Sequence, residues 1–254
     1  MEQLIHYFET IPSLHRSVIL VGGLTFFWIL EGSLPLFKFS YNKWKHAFPN
    51  LFFTFTTIII NFTLAFLLLG AADWVVFNEF GILNWLPEMP LWLYVLLGVL
   101  LMDFVGAYLP HFTEHKVPPL WMVHLVHHSD HKVDTTTANR HHPLESIIRY
   151  VFTLAGVFII GAPIGIVMLY QSMSLIATQF SHANIKLPKK LDYALSFTGF
   201  DRKISPNNRF AELNWKAEPG DGEISHEVMV PPLVVGSMLG LIARFFVPVM
   251  SLLE

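Results

Sequence analysis

Histidines are the residues of this chain that most clearly offer chemistry. The chain has 13 histidines and no cysteine. Eight of the histidines fall between residues 111 and 142, and a further one stands at residue 182. Two groups have helical spacing: His111 with His115, and His124 with His127 and His128. On a helix, positions i, i+3 and i+4 share one face, so each group would present its rings together.

A metal site is the chemistry that this pattern favours. Imidazole ligands without thiolates suit iron, zinc, copper or nickel, and disfavour magnesium and calcium. Pro118 and Pro119 lie between the two histidine groups. Since proline ends or redirects a helix, we expect the second helix to fold back so that both histidine faces converge.

The elements that carry these residues are predicted to be membrane helices. Of the 254 residues, 53% are hydrophobic and only 14% are charged, against about 25% charged in soluble domains. The mean hydropathy of +0.50 excludes an ordinary soluble globular protein. The net charge of −3 argues against a nucleic acid partner.

Apolar runs long enough to span a bilayer occur at residues 17–37, 51–72, 91–109 and 228–253.

A fifth apolar stretch, residues 147–180, is interrupted by Gly161, Pro163 and Gly165. We predict that it is a re-entrant helical hairpin, which returns to the side from which it entered. The expected fold is an all-α, polytopic integral membrane protein with about four spanning helices, this hairpin and a histidine-rich cap. We expect residues 1–254 to form one membrane domain, with the histidine region at about 103–185.

The distribution of basic residues predicts which side the histidines occupy. Lysine and arginine collect after the first span, after the third span and after the hairpin, whereas the loop at residues 73–90 has none. Under the positive-inside rule the histidine-rich cap is therefore cytoplasmic. The absence of cysteine and the cytoplasmic histidines fit a bacterial inner membrane or an endoplasmic reticulum membrane. We expect the bacterial inner membrane, because the chain shows no C-terminal retention signal.

The histidine motifs resemble those of the fatty acid hydroxylase and sterol desaturase superfamily. The resemblance rests on His111 and His115, on the string Trp121-Met-Val-His124-Leu-Val-His127-His128-Ser-Asp, and on Ala138-Asn-Arg-His-His142-Pro-Leu-Glu. It extends to His182-Ala-Asn-Ile at the end of the hairpin. Members of this family are membrane-embedded non-haem di-iron oxygenases that hydroxylate or desaturate lipids.

The resemblance implies two iron ions, O2, a lipid substrate and an external electron donor such as a reductase, ferredoxin or cytochrome. It also implies a set of iron ligands: His111, His115, His124, His127, His128, His142 and His182. One family feature is missing, because the third histidine box that should follow Ser205-Pro206 is absent, and the next histidine is His226.

Two alternatives therefore stay open beside the lipid oxygenase. The missing box favours a catalytically impaired relative that binds lipid or a partner. In addition, the segment His111-Phe-Thr-Glu114-His115 matches the HxxEH pattern of zinc hydrolases, in which the glutamate is the general base. Further carboxylates near the histidines have no spacing that selects a role for them: Asp103, Asp130, Asp134 and Glu145.

Overall fold

In a computed structural model, residues 1–130 and 132–188 are described. This part of the chain is helical and has no strand beyond a single bridge between Pro35 and Ile185. Its α-helices are α1 (Glu2–Glu9), α2 (Ser13–Ser33), α3 (Lys43–Phe77), α4 (Ile82–Trp85), α5 (Leu91–Asp103), α6 (Leu109–Lys116), α7 (Pro118–His128), α8 (Pro143–Ile160) and α9 (Ile164–His182). A π-helical turn, Phe104–Tyr108, joins α5 to α6, and a 3-10 helix, Thr135–Asn139, precedes α8.

Within residues 1–130 and 132–188, five helical segments are long and apolar enough to cross a membrane: Ser13–Ser33, Lys43–Trp85, Leu91–Lys116, Pro143–Ile160 and Ile164–His182. The first three contain or overlap the first three predicted spans. The other two are the arms of the predicted hairpin; each is long enough to cross a membrane by itself, so the re-entrant topology stays a prediction. The predicted last span at 228–253 lies outside the described residues. So does the segment at about 198–227, which we expect to be altered relative to the family because it lacks the third histidine box.

The outer faces of these helices are apolar, as a lipid environment requires. On α3, the side chains of Phe62 and Phe66 are 82% and 66% exposed. The 35 residues of α3 extend about 52 Å at about 1.5 Å per residue, which exceeds the hydrocarbon thickness of about 30 Å. The helix therefore projects beyond the apolar layer.

The tip of the hairpin packs against the segment that follows α3. Gly161 lies against Phe80 and Gly81, and the side-chain amide of Asn84 on α4 donates to the Gly161 carbonyl at 3.3 Å. Both Gly161 (φ +74°) and Gly81 (φ +103°) are left-handed, and a Cβ on either would collide with the backbone of the opposite segment. The arms thus run the length of the bundle.

The two arms of the hairpin begin and end at the same end of the bundle. The Nε2 atom of His182, at the end of α9, lies 3.1 Å from that of His127 on α7. The end of α2 meets the same region through the Pro35–Ile185 bridge. Polar helix ends therefore gather at one end of the bundle, which we call the histidine end.

The π-helical turn sets the direction of the first histidine pair. It adds one residue to the helical path just before α6, which rotates His111 and His115 by about 100° relative to α5. Gly106 within this turn packs closely on Tyr170 of α9, since a Cβ on it would lie 2.8 Å from the Tyr170 hydroxyl. The turn is therefore held against the hairpin.

Candidate metal centre

Helices α6 and α7 form the elbow that the two prolines predicted. Val117 is extended, with φ −100° and ψ 110°, as a residue before proline prefers. Pro118 then occupies the first turn of α7, where its missing N–H has no cost. The elbow folds α7 back onto α6, and the two histidine faces converge.

Four imidazoles come together at this elbow: His111, His115, His124 and His128. Their closest nitrogens are Nε2 atoms, at 2.9 Å for His111 and His115, 3.1 Å for His124 and His128, and 3.3 Å for His115 and His128. One nitrogen from each ring lies within 4.8 Å of all the others.

The donor set fits a transition metal such as iron or zinc. Ligand nitrogens about 2.0–2.1 Å from an ion at the corners of a tetrahedron would be about 3.3 Å apart, close to the observed separations. Burial lowers the pKa of His124 and of His128, so both rings are neutral at pH 7 and their lone pairs are available. The indole of Trp121, 5.2 Å from the His115 ring and 5.3 Å from the His128 ring, covers part of the cluster.

Glu145 orients His124 within this cluster. The Nδ1–H of His124 donates to Oε1 of Glu145 at 2.9 Å, and both side chains are fully buried. Because Nδ1 carries the proton in the neutral ring, Nε2 is left with its lone pair facing the other three imidazoles. Sequence reasoning could not single out Glu145, since it lies on α8 and not on a histidine helix.

Glu114 lies behind the cluster. Its Oε2 accepts from Arg149 at 2.6 Å and lies 3.5 Å from Nδ1 of His124. Arg149 also donates to Glu145 at 3.0 Å. One buried oxygen of each carboxylate, Oε1 of Glu114 and Oε2 of Glu145, has no hydrogen-bond partner. Arg149 thereby links the two carboxylates behind the imidazoles.

His127 and His182 form a second pair next to the first cluster. The Nδ1–H of His182 donates to the Thr178 carbonyl at 2.8 Å, so its Nε2 lone pair faces His127 Nε2, 3.1 Å away. Burial holds the pKa of His127 well below its usual value. The ring of His141 stacks on His127 at 5.1 Å, while its Nδ1 lies 2.7 Å from Glu145 Oε1.

The structure does not bring His142 into either group. His142 precedes α8, and its Nδ1 accepts from the backbone N–H of Leu144 at 3.2 Å, which caps the helix. Its neighbour His141 is the residue that contacts the second pair. The sequence His141-His142 does not by itself indicate which of the two rings faces His127, because that depends on where α8 begins. His131 lies outside the described residues.

His46 and two aspartates form a support that the sequence analysis missed. Nε2 of His46 lies 2.8 Å from Asp130, and Nδ1 of the same ring lies 3.0 Å from Asp134. Asp134 caps the 3-10 helix by accepting from Thr136 N at 2.9 Å. A lone histidine at the start of α3 had no sequence signal, because its partners are more than 80 residues away.

Comparison with known proteins agrees with this geometry. Residues 95–203 match the fatty acid hydroxylase family, a range that contains both imidazole groups, Glu145 and Arg149. Neither curated proteins nor solved structures give a match. The match confirms the resemblance seen in the histidine motifs and assigns residues 95–203 of this membrane-helix protein to the fatty acid hydroxylase and sterol desaturase superfamily.

Proposed function

We propose that this chain is a membrane-embedded non-haem di-iron oxidoreductase that hydroxylates or desaturates a lipid. The observation that carries the proposal is the convergence of four Nε2 atoms at the histidine end of an apolar helical bundle. The adjacent His127–His182 pair offers nitrogens for a second ion. The family match supports the same reaction class.

Iron, when bound, supplies the redox chemistry that activates O2 for attack on an unactivated C–H bond. The four-imidazole and two-imidazole groups would hold the ions. Glu145 fixes the ring of His124, and Arg149 forms ion pairs with both buried carboxylates, Glu114 and Glu145. Electrons would come from an external reductase, ferredoxin or cytochrome, since the sequence shows no dinucleotide-binding fingerprint.

The position of the cluster suits a lipid substrate. Exposed apolar helix faces such as that of α3 let an acyl chain or sterol approach through the membrane, while the polar end faces the aqueous side. We propose that this side is the cytoplasm, as the basic loops predict, in a bacterial inner membrane.

The zinc hydrolase alternative has less support. A general base must reach a metal-bound water, whereas Glu114 is fully buried and contacts His124 at Nδ1, the nitrogen that points away from the cluster. The second alternative, a catalytically impaired relative, is still supported by the missing third histidine box. The region where that box should lie is outside the described residues.

Iron content per chain tests the proposal. Detergent-purified protein would be loaded anaerobically with ferrous iron, with His128→Ala as the matched loss variant and His15→Ala, remote from the cluster, as the control. We expect about two irons in the wild type, loss in His128→Ala, and an O2-dependent change in membrane lipids detected by mass spectrometry. Stoichiometric iron without any oxidised lipid would favour the impaired relative. Hydrolysis abolished by Glu114→Gln but kept in His127→Ala would establish the hydrolase instead.

A further inference from the structure

Glu31 is an acidic residue near the end of α2, a predominantly apolar candidate span. Its side chain is buried, with 2% exposed. An ionisable group in such a segment is costly and calls for a specific partner. Glu31 has two short ones: Oε1 accepts from the backbone N–H of Thr135 at 2.7 Å and from that of Asn184 at 2.8 Å.

Both backbone groups belong to segments that hold the second imidazole pair. Asn184 comes two residues after His182, where α9 has just ended. Thr135 begins the 3-10 helix, and its hydroxyl donates to the carbonyl of Gln179 in the last turn of α9 at 3.4 Å. One carboxylate oxygen therefore joins α2, the 3-10 helix and the end of α9.

The chain after α2 strengthens this attachment. The side chain of Asn184 accepts from Phe37 N at 2.9 Å and donates to Phe37 O at 2.8 Å. The backbone N–H of Lys186 donates to Leu34 O at 2.7 Å. The segment that follows His182 is thus fixed along its length to residues 34–37.

We propose that Glu31 is a positioning residue that holds the His182 imidazole against His127, so that the first span is part of the metal centre. The family match begins at residue 95, so this support comes from outside the matched region. The inference rests on the proposed function only for the identity of the ion.

A hydrogen-bond acceptor at this position is required because the two N–H groups are buried. Without it both donors would be left unsatisfied, and each would favour a local opening of the segment. The second oxygen, Oε2, lies 3.4 Å from Lys43 Nζ, but that lysine side chain is 33% exposed. The ion pair is therefore separable from the two backbone hydrogen bonds.

The metal experiment compares three variants after anaerobic loading with ferrous iron. Glu31→Met fills the space without accepting hydrogen bonds, Glu31→Gln keeps an acceptor oxygen, and Lys43→Gln removes only the ion pair. We expect iron to fall from about two to about one per chain in Glu31→Met, through loss of the ion at the second pair, and to stay near the wild-type level in the other two.

A second readout does not depend on iron. The chain has no cysteine, so Lys186→Cys, at an exposed position, can carry a single nitroxide label. In electron paramagnetic resonance spectra of metal-free protein, we expect the label to become more mobile in Glu31→Met and to return to wild-type mobility in Glu31→Gln. A label at Glu88→Cys, at the opposite end of the bundle, should stay unchanged.

The two readouts separate the possible outcomes. Loss of one ion with a mobile label, both restored by glutamine, supports the proposal. Unchanged iron with an unchanged label overturns it, and so does loss of both ions together with mobility at both labels, which marks general unfolding. A wild type that binds no iron would remove the proposed function, while the label at residue 186 would still decide whether Glu31 positions the segment.

Discussion

Nδ1 of His124 lies 2.9 Å from Oε1 of Glu145 and 3.5 Å from Oε2 of Glu114, so one buried imidazole is held between two carboxylates from different helices. Arg149 joins both carboxylates from the other side. The cluster of Nε2 atoms therefore depends on α8 as much as on the two helices that carry its histidines.

Removal of Glu145 should weaken metal binding without removing a ligand. In Glu145→Ala, the Nδ1–H of His124 loses its acceptor and the ring is free to rotate. We expect a 10- to 100-fold loss of iron affinity, on the order seen for such outer-shell partners, measured by competition with a chelator of known affinity. Glu88→Ala, an exposed acidic site far from the cluster, is the matched control. Wild-type affinity in Glu145→Ala would show that packing alone orients His124.

Substitution of His141 and His142 should separate their roles. His141 stacks on His127 and contacts Glu145, so His141→Ala should reduce the iron content at the second pair. His142→Ala should leave iron unchanged and cost about 1 kcal/mol of stability through the lost helix cap. Iron analysis and thermal unfolding of both variants check this. If His142→Ala lost iron and His141→Ala did not, His142 would be a ligand, as the family resemblance implies.

Acid should weaken the support around Asp134. Burial raises the pKa of Asp134, but the hydrogen bonds from His46, Thr136 and Tyr41 outweigh it and leave the pKa below its usual value. A carboxyl whose folded pKa is depressed stabilises the fold above its unfolded pKa of about 3.9, and this contribution is lost as pH falls through the folded value.

The measurement is thermal unfolding of metal-free wild type and Asp134→Asn between pH 7 and pH 3. We expect the wild type to be more stable at pH 7 and the difference to shrink as the pH falls below about 4. A difference that stays constant over this range would mean that Asp134 contributes no charge-dependent stability.

The tip of the hairpin should tolerate no side chain. Gly161→Ala places a Cβ in a left-handed conformation, which costs about 1–2 kcal/mol, and drives it into the backbone carbonyl of Phe80. We expect a clear fall in the unfolding temperature. Gly32→Ala on α2 is the matched control, since nothing lies within 4 Å of its added Cβ, and it should be neutral. Equal stability of the two variants would contradict the close packing of the tip.

Local patterns predicted the parts of this protein that depend on neighbours in sequence. The spacing of His124, His127 and His128, and the break at Pro118, act over one or two helical turns, so the elbow and the facing rings could be predicted. The low charge and long apolar runs likewise predicted membrane helices, because bilayer thickness alone sets the length of a span.

The tertiary structure decided the groups that meet across long stretches of chain. His46 reaches Asp130 and Asp134, and Glu31 reaches Asn184, only because the helix ends gather at one end of the bundle. It also decided that His141 rather than His142 lies beside His127. The amino-acid sequence by itself determined the class of protein and the histidines available to a metal; the packing of helices determined which side chains orient them, because hydrogen bonds between distant segments leave no periodic trace in the sequence.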